Sequence, residues 1–199
     1  MRLFFKNISN LSDEELMNLY IVKGNDKYIE ELYKRYSSKL LGYFFRMLQG
    51  DIAKSQDLLQ DLFLKVIEKK HQFDTSKKFY TWVFTVANNL CKSDFRKLEN
   101  RSKVYDYPIE KTPVTYDANL FDKKEFKVAL KKGVNKLSHV HKVAFILRYN
   151  EGFSIKEIAQ IVEVSEGTIK SRLYYATQNV SQYIKEFSPI NESQVFKIN

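Results

Sequence analysis

Apolar positions along this chain recur at spacings of three and four, and no stretch alternates apolar and polar residues over a strand's length. Ser12 and Glu15 form a capping-box pair ahead of Leu16, Leu19 and Tyr20, which starts a first helix. Asp26 stands at the cap position of a second, running through Ile29, Leu32, Tyr33, Tyr36, Leu40 and Phe44 to a break at Gly50-Asp51. A third helix is predicted from about Lys54 to Lys70, a polar loop from His71 to Lys78 around Asp74-Thr75-Ser76, and a fourth helix from about Phe79 to Lys97. The pattern lapses over residues 99–124, where Pro108, Pro113 and alternating charges predict a flexible linker. It resumes from Phe126 to Leu137 and from Ser138 to Tyr149, and fades from Lys185 into a tail holding Pro189. The expected fold class is all-α, with two helical domains at 11–98 and 125–187, an extension at 1–10, the linker at 99–124 and a tail at 188–199.

Between Tyr149 and the tail lies SIKEIAQIVEVSEGTIKSRLYYATQ, from Ser154 to Gln178, which reads as two helices joined by a tight turn. Ser154 and Glu157 make another capping box, and Ile155, Ile158, Ala159 and Val162 form one apolar stripe. Val164 plugs the turn, and Ser165 caps a second helix whose inner side is Ile169, Leu173 and Ala176. Its outer side, Glu166, Gly167, Lys170, Ser171 and Tyr174, is polar, short at the start and basic overall. A helix entering the major groove needs that arrangement, because its N-terminal half must reach base edges. Taken alone, the segment also fits a plain helical hairpin with a solvated face. Glu163 stands where such turns often place glycine, and a left-handed backbone there would cost about 1 kcal/mol.

Two other helices carry distinctive faces. In FYTWVFTVANNLCKSDFRK the expected buried stripe is Phe79, Trp82, Val83, Val86 and Leu90. A second row holds Thr81, Thr85, Asn88, Lys92 and Arg96, flanked by Asn89 and Ser93, and the loop before it supplies Lys77 and Lys78. Hydroxyls, amides and cations in a row can engage bases and phosphates, and Tyr80, off the stripe, is as well suited to stacking a base as to core packing. In SQDLLQDLFLKV, residues Leu58, Leu59, Leu62, Phe63 and Val66 give a wide apolar face, with Asp57, Gln60, Asp61 and Lys65 opposite. An acidic face on a basic chain suits a protein partner better than DNA.

Charge sharpens this picture. The net charge of +9 is carried entirely by two segments: residues 63–97, with eight basic and three acidic groups, and residues 125–199, with eleven and seven. The rest of the chain is balanced, so the basic excess coincides with the two candidate nucleic-acid faces. Catalysis finds no constellation: His139 and His141 point to different sides of one helix, His71 stands apart, and Cys91 has no ligand-spaced neighbour. No metal, cofactor or enzymatic activity is expected, nor insertion into a membrane, since no run of about 18 apolar residues exists. One cysteine and no signal peptide point to the cytoplasm.

Three segments, in this order and spacing, resemble the extracytoplasmic-function (ECF) sigma factors of bacterial RNA polymerase over roughly Leu11 to Ile184. They are Asp57-Leu58, Gln60, Asp61 and Phe63; then Phe79, Thr81-Trp82, Ala87, Asn89 and Arg96; then Glu157-Ile158-Ala159 with Gly167-Thr168-Ile169-Lys170-Ser171-Arg172. The resemblance implies a region-two domain, a region-four domain with a helix-turn-helix, and a function in initiating transcription. It implies that Asp57, Leu58, Gln60, Asp61, Phe63 and Lys65 dock on the β′ clamp of core polymerase. Lys77, Lys78, Tyr80, Thr81, Asn88, Asn89, Lys92 and Arg96 would melt and hold the −10 element as a single strand. Glu166, Gly167, Thr168, Lys170, Ser171, Arg172 and Tyr174 would read the −35 duplex. An anti-sigma factor is a further implied partner. Tyr175 and Thr177 depart from the family, which often has arginines there, and Asp94 lies one place later than its usual acidic residue.

Overall fold

The computed structural model describes residues 7–102 and 123–187; the central part of the expected linker and the tail lie outside the described residues. Eight α-helices occur among them: α1 Asp13–Lys23, α2 Lys27–Met47, α3 Ile52–Glu68, α4 Phe79–Ser102, α5 Lys123–Lys136, α6 His139–Tyr149, α7 Ile155–Val162 and α8 Glu166–Ile184. The all-α expectation holds. The described residues fall into two compact units, one of residues up to Ser93 with Lys156–Val164, the other from Asp94 to Ile155 and from Ser165 onward.

In the first unit the turns follow from local chemistry. Ser12 Oγ accepts from Glu15 N at 3.1 Å while the Glu15 carboxylate accepts from Ser12 N at 2.7 Å, closing the expected capping box. Gly24, at φ 63°, ends α1 in the left-handed conformation that glycine adopts without strain. Asp26 does not cap α2: its backbone is already helical and its side chain makes no capping bond. Asn25 does that work instead, its Oδ1 accepting from Lys27 N at 3.2 Å. Gln49 and Gly50 both take positive φ, turning the chain into α3, which Asp51 caps through Lys54 N at 3.0 Å.

The α1, α2 and α3 helices pack in sequence, and the core they share is strongly aromatic. Tyr43 meets Phe84 edge-on at 5.3 Å, and Phe73 meets Phe79 at 5.8 Å and Trp82 at 5.2 Å. The inward face of α4 differs from the expected stripe. Phe79, Val83 and Leu90 are buried as foreseen, but Trp82 and Val86 are half-buried, while Phe84, Ala87 and Cys91 are wholly enclosed. Phe84 decides the rotation, because burying so large a ring is worth more than burying Val86. Cys91 is a small core filler, as expected.

In the second unit α8 packs against both α5 and α6. Its core joins Leu137, Phe145, Ala176 and Val180, with Leu130 and Val134 against them. Gly133 lets α5 approach closely, since a Cβ there would lie 3.2 Å from the Tyr183 side chain. No helix among the described residues is long and apolar enough to cross a membrane, and no group of three His, Cys, Asp or Glu could hold a metal ion.

Candidate nucleic-acid interface

The α8 helix is built outward from its cap. Glu163 takes φ 57°, the left-handed backbone foreseen for this turn. Ser165 Oγ then accepts from Thr168 N at 3.1 Å and lies 2.9 Å from Thr168 Oγ1. Ile169, Leu173 and Ala176 are fully buried, which fixes the rotation of the helix. Glu166, Gly167, Lys170, Ser171 and Tyr174 are consequently exposed, with Thr168 and Arg172 half-buried at the edges of that face. Gly167 is not demanded by the fold: a Cβ there would meet only Ser165 Oγ, at 3.8 Å. Ser171 Oγ donates to Thr168 O at 2.9 Å, leaving its lone pairs as acceptors.

The two departures from the family behave differently. Tyr175 is 55% exposed and stands edge-on to Tyr174, 54% exposed, at 5.5 Å. Thr177 is buried, its hydroxyl donating to Tyr174 O at 2.9 Å. His141 lies beside this region, 6.1 Å from the Tyr175 ring. Burial, and then the Arg172 guanidinium, holds its imidazole below the ordinary histidine range.

The α4 row is less uniform. Lys77, Lys78, Asn89, Lys92 and Arg96 are exposed, and Thr81 is half-buried. Asn88 is 6% exposed, so its amide faces inward and does not line an open row. Serine hydrogen bonds, and secondarily Lys77, hold the Asp74 carboxylate below the usual carboxylate range, tightening the loop before α4. Tyr80 is half-buried and framed on three sides. It meets Phe84 at 5.0 Å and Tyr36 at 5.9 Å, and Lys39 Nζ lies 4.9 Å from its ring and 3.3 Å from its hydroxyl.

Behind Tyr80 sits a group the sequence did not disclose. Glu14 Oε1 accepts from Phe79 N, the first residue of α4, at 2.9 Å. The Tyr36 hydroxyl donates to Asp13, whose other oxygen accepts from Arg35 at 2.8 Å. Burial, and then the bond to Asp13, pushes the Tyr36 phenol far above its ordinary range, so it stays a neutral donor. Arg35 also donates to Leu11 O and Ser9 O, at 2.9 and 3.0 Å, and to Glu31 at 2.9 Å. A cap lying 65 residues away in sequence leaves no local signal.

The α3 helix carries the third surface. Asp57, Gln60 and Asp61 are exposed and Lys65 is half-buried, whereas Leu58 and Phe63 are only 8% and 7% exposed. Phe63 stands edge-on to Tyr33 at 4.7 Å, so these two apolar residues hold the helix in the core. Leu64 and Ile67, which the sequence did not single out, are exposed apolar residues in the C-terminal half of α3, and Ile52 is exposed at its start.

Comparison with known proteins agrees on one family. The models for Sigma-70 region 2 and Sigma-70, region 4 match residues 32–101 and 127–178. The chain is similar to the ECF RNA polymerase sigma factor SigL of Mycobacterium tuberculosis, at 28% identity over 78% of this chain and 88% of the relative. It is 30% identical to the ECF sigma factor EcfG of Rhodopseudomonas palustris over 67% of this chain and 73% of that one. Among solved structures it resembles the sigma factor RpoE of Bartonella quintana in complex with the anti-sigma factor NepR, with TM-score 0.65, 26% identity, and coverage of 80% and 98%. The chain belongs to the ECF family of RNA polymerase sigma factors and acts in transcription initiation.

Proposed function

We propose that this chain binds core RNA polymerase, reads a −35 element as duplex through α8, and captures a −10 element as a single strand through α4 and the loop before it. The observation that carries the reading is the division of α8. Ile169, Leu173 and Ala176 are sealed in the core, while Lys170, Ser171 and Tyr174 stand in solvent along the first turns. A groove-reading helix needs that split, with its N-terminal half free to meet base edges. Gly167 fits the same reading, since nothing in the fold requires glycine there.

For the −10 element, support comes from Tyr80 beside Lys77 and Lys78, with Lys92 and Arg96 farther along α4. Rings and flexible cations suit unpaired bases, each stacked base contributing roughly 1–3 kcal/mol. The acidic face of α3 is the surface for the β′ clamp, with Asp57, Gln60 and Asp61 in direct contact and Leu58 and Phe63 supporting from within. In this reading residues 11–98 form the region-two domain, 125–187 the region-four domain, and 99–124 the tether. An anti-sigma factor, of the kind seen with the Bartonella relative, is the regulatory partner.

The test is retention on core polymerase followed by footprinting on promoter fragments. Wild-type protein should co-purify with core and protect two elements. Asp61→Lys should melt as wild type does yet be lost from core. Unchanged retention of that variant would overturn the docking assignment.

A further inference from the structure

The geometry points to Glu14, together with Asp13 acting through Tyr36, as positioning residues that set Tyr80 for promoter opening. This rests on the single-strand role proposed above for Tyr80. A helix leaves its first backbone N–H groups without intrahelical partners, and the Phe79 N–H is one of them. Glu14 supplies the missing acceptor at 2.9 Å, and its negative charge complements the positive end of the α4 dipole. The next residue is Tyr80. Its ring lies 5.9 Å from Tyr36, which also stands edge-on to Phe79 at 5.4 Å. The Tyr36 hydroxyl is committed to Asp13, and Asp13 is anchored by Arg35 at 2.8 Å. One turn along α2 from Tyr36, Lys39 Nζ reaches the Tyr80 hydroxyl at 3.3 Å.

The first turn of α4 is thus held at its backbone by α1 and at its side chain by α2. A carboxylate so close to a strand-binding face would repel phosphate if it contacted DNA. Glu14 and Asp13 therefore serve by fixing the ring, which spares Tyr80 the ordering cost of finding its place when a base unpairs.

The experiment follows permanganate reactivity of −10 thymines with time, using holoenzyme on a duplex promoter and on the same promoter pre-opened at −10. Glu14→Ala should slow opening of the duplex by roughly threefold to thirtyfold, the equivalent of losing a helix cap. Glu14→Gln, which keeps an acceptor, should remain within about twofold of wild type. Tyr36→Phe keeps the ring but loses the bond to Asp13, and should slow opening by roughly two- to tenfold. It also keeps the test decisive should Glu14→Ala fold poorly. On the pre-opened promoter Glu14→Ala and Tyr36→Phe should both recover, which a general loss of stability would not produce.

Glu14→Ala with Tyr80→Ala should open no more slowly than Tyr80→Ala alone, because both act through one ring. If Tyr80→Ala slows opening while Glu14→Ala and Tyr36→Phe do not, the positioning role is overturned and the role of Tyr80 stands. If Tyr80→Ala itself opens at the wild-type rate, both fall together. Defects that persist on the pre-opened promoter would also overturn positioning.

Discussion

The α8 and α4 helices both carry a polar row beside a buried stripe, yet they are held in different ways. The start of α8 is set locally, by a serine cap and a strained turn within a short stretch of sequence, while its buried side rests on α5 and α6. The first turn of α4 is aimed from outside, by Glu14 on α1 and by Tyr36 and Lys39 on α2. The contrast fits the two proposed targets. Duplex DNA offers a preformed groove, and a helix with one fixed face suffices to meet it. An unpaired base must be taken out of its stack, so the ring that receives it gains from being held in place beforehand.

The largest expected difference is between the support beneath the α4 row and a side chain on the open α8 face. Phe84 is fully buried against Tyr43 and Tyr80, and Phe84→Ala should cost about 3–5 kcal/mol in denaturant unfolding. Tyr174→Ala, on the open face of α8, should change stability by less than about 0.5 kcal/mol. Similar losses from the two would mean that the α8 face is covered, not free.

Lys170→Ala separates reading from holding. It should lose roughly 1–3 kcal/mol of discrimination at one base pair of the −35 element. Arg172→Ala, at the edge of the face, should weaken all sequences alike and reduce the salt slope by about 1. Selection from a randomised −35 site at two salt concentrations measures both, and an exchange of the two signatures would exchange the assignments.

Gly167→Ala sharpens the contrast further, because the free fold has room for the methyl. Its stability should lie between neutral and about 1 kcal/mol above wild type, since alanine favours helix. Its −35 affinity should nevertheless fall, measured by titrating holoenzyme onto a promoter fragment. An unchanged affinity would remove Gly167 from the interface.

The smallest expected effect is one of pH. His141 binds its proton less readily when folded than its ordinary value of 6.5, so the unfolded chain takes up more protons in the range below that value. Its contribution to stability is present above about 6.5 and is lost as pH falls through the lower folded value. The urea midpoint should therefore drop more between pH 7.5 and pH 5 for wild type than for His141→Gln. Equal drops would show that the imidazole does not report its surroundings.

The same division between local and distant control decides what the sequence disclosed. Helix number, the capping box at Ser12, the strained turn at Glu163 and the outward face of α8 were all legible, because each depends on neighbours a few residues away. Asn25 displaced Asp26 as the cap of α2, a choice between adjacent residues that either could have filled. In α4 the buried face turned toward Phe84, and Asn88 went inward, because the partner ring Tyr43 lies on another helix. Glu14, Tyr36 and Lys39 gave no signal, since each reaches Phe79 or Tyr80 from a distant part of the chain.

The division of labour between α8 and α4 is read in one experiment that compares Tyr80→Ala and Lys170→Ala in holoenzyme, with −35 protection and −10 thymine reactivity followed on the same promoter. Tyr80→Ala should keep the −35 footprint and open slowly, with recovery on a pre-opened promoter. Lys170→Ala should weaken the −35 footprint but bind a pre-opened −10 strand as wild type does. If both variants lost the two signals in parallel, α8 and α4 would not divide duplex reading from strand capture.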